Sequence, residues 1–245
     1  MNKESIVDGK WTPSVLALLG RYYPDYSPSR FSELVARHIH SSGNVLEIGA
    51  GSGRNKQNHF DLRGKVARYV GVDLDPRVLT NPFLDESYQS DANSLPFPDH
   101  TFDLVFHSFV AEHLAAPLDS NREIARVLKP GGVLLFHTPS RYYYPSVIAR
   151  MTPHWFHEFY VSRFSSGRSE TEVFPTFYRL NDAKTITSQL QSCGFACEIQ
   201  HHSLPPGYLR FSAASFLAGV LFERTVEKWF PALRGTIFVV AHKLP

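Results

Sequence analysis

Short runs of apolar residues, each bounded by glycine, proline or acidic residues, recur along the chain and predict strands. The first run, 45–48, leads into glycines at positions 49, 51 and 53. Further runs lie at 69–75, 102–106, 133–138, 196–201 and 236–241. Runs of this length with such flanks are typical of strands buried between layers of helices, as in a parallel sheet.

Apolar residues at helical spacing alternate with these runs, at 15–19, 31–37, 121–128, 181–195 and 211–229. The second helix is predicted to be capped by Ser29 or Ser32, and the fourth to end at Gly194. The Lys-Pro-Gly-Gly of 129–132 is predicted to terminate the third. The first half of the last helix is unusually apolar, so we expect it to be buried, with contact to a membrane surface as the alternative.

Composition narrows the class of protein. The 245 residues include 43% hydrophobic ones and carry a net charge of +2 with no long basic run, so nucleic acid is not indicated as a partner. No apolar stretch reaches the roughly 20 residues of a membrane-spanning helix. Cys193 and Cys197 match neither a disulfide framework nor a paired metal motif, which indicates reduced thiols and a cytoplasmic location.

The glycine-rich stretch after the first strand is the strongest candidate for chemistry. Its pattern is Glu47-x-Gly49-x-Gly51-x-Gly53. Glycine permits positive φ and allows a ligand to lie against the main chain. A carboxylate just before the first glycine would repel the pyrophosphate that a G-x-G-x-x-G loop binds, but it could attract a cation.

This stretch resembles motif I of the class I S-adenosylmethionine-dependent methyltransferases, E/D-x-G-x-G-x-G, including the ubiquinone-biosynthesis-like small-molecule enzymes of methyltransferase type 11. Asp73 stands where that family has an acidic residue at the end of the second strand. Later segments also match, with D-A-x-x-L-P-F from Asp91, E-H-L at 112–114 and L-K-P-G-G-x-L at 128–134. Between 45 and 138 the motifs follow the order and spacing of the family.

The resemblance implies an α/β fold with a Rossmann-like, doubly wound sheet of seven strands. Their order would be 3-2-1-4-5-7-6, with the last strand antiparallel and a helical, aromatic-rich insertion after strand 5. Residues 1–245 would form a single methyltransferase domain. It would include an N-terminal helical cap (1–40), a lid or substrate insertion (139–180) and a helical insertion before the last strand (205–232).

The function implied is transfer of a methyl group from S-adenosylmethionine to an O, N or C atom of an aromatic or hydrophobic small molecule. Asp73 would grip the ribose, Asp91 would accept the adenine amino group and the Ala92 amide would contact the ring. His113 and His157 are the candidate general bases, with His107 and Tyr143 as further candidates. The expected cofactor-binding residues are Glu47, Gly49, Ala50, Gly51, Gly53, Asp73, Leu74, Asp91, Ala92 and Ser108.

Several alternatives stay open at this point. In some quinone-pathway relatives the segment after the fourth strand helps to hold a metal, but Phe109 stands where a carboxylate would be needed, so no metal is predicted. The protein could instead be a non-catalytic subunit that binds S-adenosylmethionine or, against the glycine spacing, an NAD-dependent oxidoreductase. Besides the small-molecule acceptor, a second copy of the chain is a candidate partner, as a homodimer.

Overall fold

A computed structural model describes residues 12–24, 30–53, 60–144, 146–147 and 174–245. The chain divides into two compact units. The sheet unit contains Ser29–Thr138, Thr176–Gln200 and Ile237–Pro245, and the helical unit contains Met1–Pro28, Pro139–Pro175 and His201–Thr236. No helix within the described ranges is long and apolar enough to cross a membrane.

Seven strands form one sheet in the order β3-β2-β1-β4-β5-β7-β6. They are β1 (Asn44–Ile48), β2 (Arg68–Asp73), β3 (Glu86–Gln89), β4 (Phe102–Ser108), β5 (Leu128–Pro139), β6 (Phe195–His202) and β7 (Thr236–Lys243). The central strand β1 pairs in parallel with both β2 and β4. The strand order and the mixed sheet confirm the predicted fold class.

Five α-helices lie within the described residues: α1 (Pro13–Tyr22), α2 (Arg30–Ala36), α3 (Pro117–Val127), α4 (Ala183–Ser192) and α5 (Ala213–Trp229). The cap of α4 is Asp182, whose carboxylate accepts from the Thr185 amide at 2.9 Å. In α2, Ser32 lies inside the helix, so it is not the predicted cap, and Ser29 falls outside the described residues.

The two faces of the sheet are covered by separate apolar clusters in the sheet unit. Leu46 and Ile48 of β1 belong to one cluster, together with residues of α3 and α4. Val45, the neighbour of Leu46 along the strand, belongs to the other, with Phe31 of α2. Alternate residues of a strand point to opposite faces, so β1 is buried on both sides, as its unbroken apolar run predicts.

Three sequence expectations differ from the observed elements. The predicted order included an edge strand β3 but did not locate it, because Glu-Ser-Tyr-Gln at 86–89 has no apolar run. The strand β5 begins at Leu128 rather than Val133. Residues 129–132 form an irregularity within it, because Phe102 pairs with Leu128 and Leu104 pairs with Val133. In α5 the predicted burial holds for Phe216, whereas Leu221 and Phe222 are more than half exposed.

The helical unit has a small core of its own. Val15 and Leu19 of α1 pack with Phe216 and Val220 of α5. Most of the predicted lid (139–180), including His157, lies outside the described residues. The predicted cap, lid and insertion therefore remain predictions about domain organisation.

Candidate functional site

The loop after β1 is held in shape by its glycines. Gly49, Gly51 and Gly53 have φ values of 75°, 53° and 67°, which side chains rarely tolerate. A Cβ on Gly49 would lie 2.4 Å from Val110 Cγ2, and one on Gly53 would lie 2.5 Å from Asn81 Oδ1. A Cβ on Gly51 would meet no atom of the described residues within 4 Å. Gly51 is thus the glycine whose open side is free to face a ligand.

Asp73, the last residue of β2, fixes this loop through its carboxylate. Oδ2 accepts a hydrogen bond from the Gly51 amide at 2.9 Å, and Oδ1 accepts one from the Asp75 amide at 2.9 Å. A carboxylate offers about four acceptor positions, so two are left after these bonds. Asp75 itself caps the following 3-10 turn by accepting from the Arg77 amide at 2.9 Å.

Asn81 holds the same loop from the other side and was missed by the sequence analysis. Its Nδ2 donates to the carbonyl oxygens of Ala50 and Gly51, at 3.0 and 3.1 Å, and its Oδ1 accepts from the Phe83 amide. Nothing in the sequence separates this asparagine from the many that end turns, since its partners lie about 30 positions away. The loop is therefore held by both Asp73 and Asn81.

The side chain that follows Asp73 extends into solvent. Leu74 is 55% exposed, unusual for a leucine directly after a buried strand, and the Leu74 carbonyl accepts from Gln89 Nε2 at 3.0 Å. Leu74 thus offers an apolar surface next to the remaining acceptor positions of Asp73. A flat apolar ring with an attached sugar diol would suit this pair chemically.

Glu47 lies in the interior beneath the loop. It is 5% exposed and accepts a hydrogen bond from the Tyr69 hydroxyl. Burial raises the pKa of Glu47 to about 8; the bond from Tyr69 opposes this rise, and the charge of Asp73 adds to it. The carboxyl is therefore largely protonated at neutral pH unless a positive charge comes close.

Asp91 and Ala92 follow β3 at the same edge of the sheet. Asp91 is exposed, and its Oδ1 accepts from the Asn93 amide at 2.9 Å, which makes a local turn. Ala92 is buried. The backbone amide of Ser90, just before this turn, donates to the Asp73 carbonyl oxygen at 2.9 Å, so the turn is anchored next to the end of β2.

His137 of β5 is buried next to residues 108–110, where β4 ends. Ser108 Oγ and His137 Nε2 lie 2.6 Å apart and share a hydrogen bond. The His137 ring stacks on Phe31 at 4.2 Å and contacts Phe109 at 4.3 Å between centroids. Burial lowers the pKa of His137 to about 3, so the ring is neutral at pH 7.

Phe109 adopts a backbone conformation that is rare for a bulky residue. Its φ is 55°, in the left-handed region. The Phe109 amide donates to the His137 carbonyl oxygen at 3.1 Å, and the ring is 37% exposed. Strain of this kind persists only where the surroundings enforce it, and it is concentrated at functional sites.

The candidate bases occupy different environments. His113 is half-buried in the 3-10 turn after β4, whereas His157 falls outside the described residues. His107 is 1% exposed, and burial lowers its pKa to about 3, so it is not the accessible base that the sequence offered. Tyr143 belongs to the helical unit, and burial raises its pKa.

Two acidic residues, one at each end of β4, have structural partners. The Asp103 carboxylate accepts hydrogen bonds from the Asn44 amide and from Lys129 Nζ, both at 2.8 Å, so its role is structural. Glu112 is buried and accepts from Thr138 Oγ1 at 3.0 Å, so it does not line an open surface. Across the described ranges, no group of three or more His, Cys, Asp and Glu side chains is placed to hold a metal.

Comparison with known proteins finds a family match within the sheet unit. Residues 46–136 match the model of a methyltransferase domain family. The match covers the central part of the sheet unit. The match confirms the resemblance predicted from the sequence. The names of the relatives agree with the expected S-adenosylmethionine-dependent enzyme.

Two of the curated proteins that match this part of the chain are both named as methyltransferases. A ubiquinone/menaquinone biosynthesis C-methyltransferase of Hahella chejuensis is 33% identical over 107 residues, covering 40% of this chain and 43% of that protein. A probable S-adenosylmethionine-dependent methyltransferase of Mycolicibacterium smegmatis is 32% identical over 167 residues, 66% of this chain and 55% of that protein. The chain spans about half the length of the curated relatives it matches.

Solved structures share the fold at low identity. One comes from a complex between a Haloferax volcanii Trm112 methyltransferase activator and a putative methyltransferase, with 21% identity, a TM-score of 0.59 and coverage of 96% and 98% of the two chains. Another is the [4+2]-cyclase SpnF, with 19% identity, a TM-score of 0.56 and coverage of 94% and 93%. At these identities the likeness shows the fold alone.

Proposed function

We propose that this protein transfers a methyl group from S-adenosylmethionine to an O, N or C atom of an aromatic or hydrophobic small molecule. The methyltransferase domain and the names of its relatives support the reaction. The relatives named for ubiquinone and menaquinone biosynthesis support the acceptor class. The half-exposed ring of Phe109, next to Ser108 at the end of β4, is an apolar surface on which such an acceptor could pack.

The hydrogen bond from the Gly51 amide to the Asp73 carboxylate is the main observation in support of this proposal. The carboxylate keeps two acceptor positions, and a ribose diol has two hydroxyl donors that could fill them. Gly51 leaves main chain uncovered beside that carboxylate, and Leu74 gives an apolar surface for adenine. The residues therefore suit a nucleoside with a free 2′,3′-diol.

Glu47 gives the proposed site its preference for a cation over a pyrophosphate. When a positive group approaches, it stabilises the ionised carboxylate and lowers the raised pKa. A pyrophosphate would have the opposite effect. Because the pKa of Glu47 falls when a cationic ligand binds, binding should release a proton at neutral pH.

Bound S-adenosylmethionine would supply an electrophilic methyl group on its sulfonium sulfur. The task of the protein is then to hold the acceptor in line with that methyl group and to keep water away. His113 and His157 are the proposed acceptors of the proton that an oxygen, nitrogen or carbon nucleophile loses. Ser108 would act as a polar contact for the cofactor, with its hydroxyl held by His137.

Calorimetric titration with S-adenosylmethionine, S-adenosylhomocysteine and NAD tests the cofactor. Asp73→Asn removes the charge and one acceptor oxygen, so we expect about tenfold weaker binding of S-adenosylhomocysteine. Asp119→Asn is the matched control, because Asp119 is an exposed carboxylate paired with Arg122 on α3. Binding of NAD in place of S-adenosylmethionine, or equal affinities in the two variants, would refute the proposal.

A non-catalytic subunit that binds S-adenosylmethionine is the rival. The fold also occurs in a protein named a [4+2]-cyclase, so cofactor binding alone does not establish methyl transfer. Turnover of methyl-labelled S-adenosylmethionine with a panel of phenols, quinols and amines separates the two possibilities. Tight binding without label transfer to any acceptor would favour the rival.

A further inference from the structure

The loop of residues 90–99, which follows β3, is bound along one row of side chains on α3. Ser120, Glu123 and Arg126 are spaced three residues apart, so each is a neighbour of the next on the helix surface, and each bonds to this loop. We propose that Glu123 and Arg126 are positioning residues, which hold the loop so that Asp91 meets the base of a bound nucleoside and selects adenine. This inference rests on the proposed function, because it concerns the base of the same cofactor.

The loop begins beside the end of β2. Asp73 and Gln89 are partners in the parallel pairing of β2 and β3, and the Ser90 amide donates to the Asp73 carbonyl oxygen at 2.9 Å. A nucleoside whose ribose is bound by the Asp73 carboxylate would therefore have its base close to residues 90–92. Asp91 is exposed at this place.

The Asp91 carboxylate is suited to distinguish two purines. Its Oδ1 accepts from the Asn93 amide at 2.9 Å, which leaves Oδ2 for a ligand. A carboxylate accepts hydrogen bonds and donates none, so it favours the 6-amino group of adenine over the 6-oxo group of hypoxanthine. The preference depends on the position of the carboxylate, and hence on what holds the loop.

Arg126 binds the loop at three places. Nη2 donates to the Leu95 carbonyl oxygen at 3.0 Å, and Nη1 donates to the Phe97 carbonyl oxygen at 2.7 Å. Nη1 also donates to the Asp99 carboxylate at 2.9 Å. A guanidinium carries five N–H donors in a rigid planar fork, so it can bind separate carbonyl groups and a carboxylate at the same time.

Glu123 binds the other backbone polar group of Leu95. Its Oε2 accepts from the Leu95 amide at 3.0 Å and from Arg126 Nη2 at 2.8 Å. The hydrogen bonds from Arg126 lower the pKa of Glu123, so the pair is ionised at neutral pH. The Leu95 side chain is buried in the apolar core of the sheet unit. Leu95 is therefore fixed both by α3 and by the core, four positions after Asp91.

Ser120 connects α3 to the turn at Asp91 itself. The Ser120 side chain is buried, and its hydroxyl donates to Asn93 Oδ1 at 2.7 Å. The Asn93 amide in turn donates to the Asp91 carboxylate. Positions 93, 95 and 97 of the loop are thus bound by successive residues of one helix face, so the loop cannot shift along α3 without breaking several hydrogen bonds.

Two analogues of the demethylated cofactor measure the selection of the base. S-adenosylhomocysteine and S-inosylhomocysteine differ at position 6 of the purine, which carries an amino group in the first and an oxo group in the second. Calorimetric titration of the full chain gives the affinity for each. A hydrogen bond to a charged group predicts that the wild type binds the adenosyl compound about tenfold or more tightly.

Arg126→Lys keeps the positive charge but replaces the fork with one ammonium group, which cannot bind all of these loop groups. A ligand that needs the loop in one position loses affinity as that position becomes less populated. S-adenosylhomocysteine binding should therefore weaken about fivefold or more, whereas S-inosylhomocysteine binding should stay within about twofold of wild type. Arg122→Lys is the matched control on α3, because Arg122 is more exposed and bonds to Asp119.

Two further measurements support the assignment. Glu123→Gln keeps an acceptor for the Leu95 amide but loses its charge, and should weaken S-adenosylhomocysteine binding alone by about threefold. It also provides a second test if Arg126→Lys fails to fold. Hydrogen exchange of the Leu95 amide, measured without any ligand, should be about tenfold faster in Arg126→Lys than in Arg122→Lys.

The outcomes are distinct. Weaker binding of the adenosyl compound alone, together with faster exchange at Leu95, supports the inference. Equal weakening for both compounds would show a merely structural role and overturns it, as does wild-type selectivity in both Arg126→Lys and Glu123→Gln. A wild type that binds both compounds equally also overturns it and leaves the proposed function standing. A wild type that binds neither compound refutes the proposed function and the inference together.

Discussion

Alanine variants of Gly51 and Gly64 separate two effects of an added methyl group, which are loss of room for a ligand and strain in the backbone. Both have positive φ, 53° and 72°, and a Cβ on either would meet no atom of the described residues within 4 Å. Alanine at either position should therefore cost about 1 kcal/mol of folding free energy, from the left-handed backbone alone. The two variants should unfold at similar urea concentrations.

Their ligand binding should differ. The methyl group of Gly51→Ala would occupy the open side of the loop, where the proposed cofactor lies against main chain. An added methyl in a packed contact costs about 1–3 kcal/mol, which corresponds to about 5- to 150-fold weaker binding. Gly64→Ala should bind S-adenosylhomocysteine like the wild type.

Gly49→Ala completes the comparison, because its Cβ would lie 2.4 Å from Val110 Cγ2. Overpacking adds to the backbone strain, so the loss of stability should be about 2–4 kcal/mol. Urea denaturation measures stability, and calorimetry with S-adenosylhomocysteine measures affinity. Equal affinities for Gly51→Ala and Gly64→Ala, at equal stability, would refute the assignment of the open side of Gly51 to the cofactor.

Three further predictions concern single side chains. Leu74→Ala should weaken S-adenosylhomocysteine binding several-fold, whereas Leu79→Ala, equally exposed on the neighbouring 3-10 turn, should leave the calorimetric affinity unchanged. His107→Phe should leave the urea-derived stability unchanged or raise it by up to about 2 kcal/mol, because no described residue bonds either ring nitrogen; a loss of about 3 kcal/mol would contradict this. Glu47 has a pKa of about 8 in the folded protein and about 4.3 in the unfolded chain, so the wild-type free energy of unfolding should fall as pH rises from 5 to 8. Glu47→Gln lacks this titration, so its stability should gain on the order of 3 kcal/mol relative to wild type over that range. Parallel urea-derived stability curves for the two proteins would contradict this prediction.

The sequence predicted the centre of the sheet because burial on both faces leaves a clear pattern. The apolar run of β1 and the three glycines after it are local features, and the loop takes the conformation that such glycines permit. The edge strand β3 has no such pattern, since its residues are partly exposed. Its pairing with β2 depends on backbone hydrogen bonds that any sequence can make.

The site contacts that the sequence did not predict join residues that lie far apart in the chain. Asn81 bonds to carbonyl groups about 30 positions away, and Glu47 meets the Tyr69 hydroxyl across two strands. Spacing in the sequence indicates neither contact. The burial of His107 also depends on what packs against the end of β4, which the sequence does not indicate.

The two backbone bonds of Asp73 have a consequence for cofactor redesign. In dinucleotide enzymes, the acidic residue at the end of the second strand is the usual position for switching cofactor preference. Here the same carboxylate also anchors the Gly51 amide and the turn at Asp75. A substitution of Asp73 that alters sugar recognition would therefore also remove one of the two anchors of the loop, so a change of preference would require a compensating acceptor for the Gly51 amide.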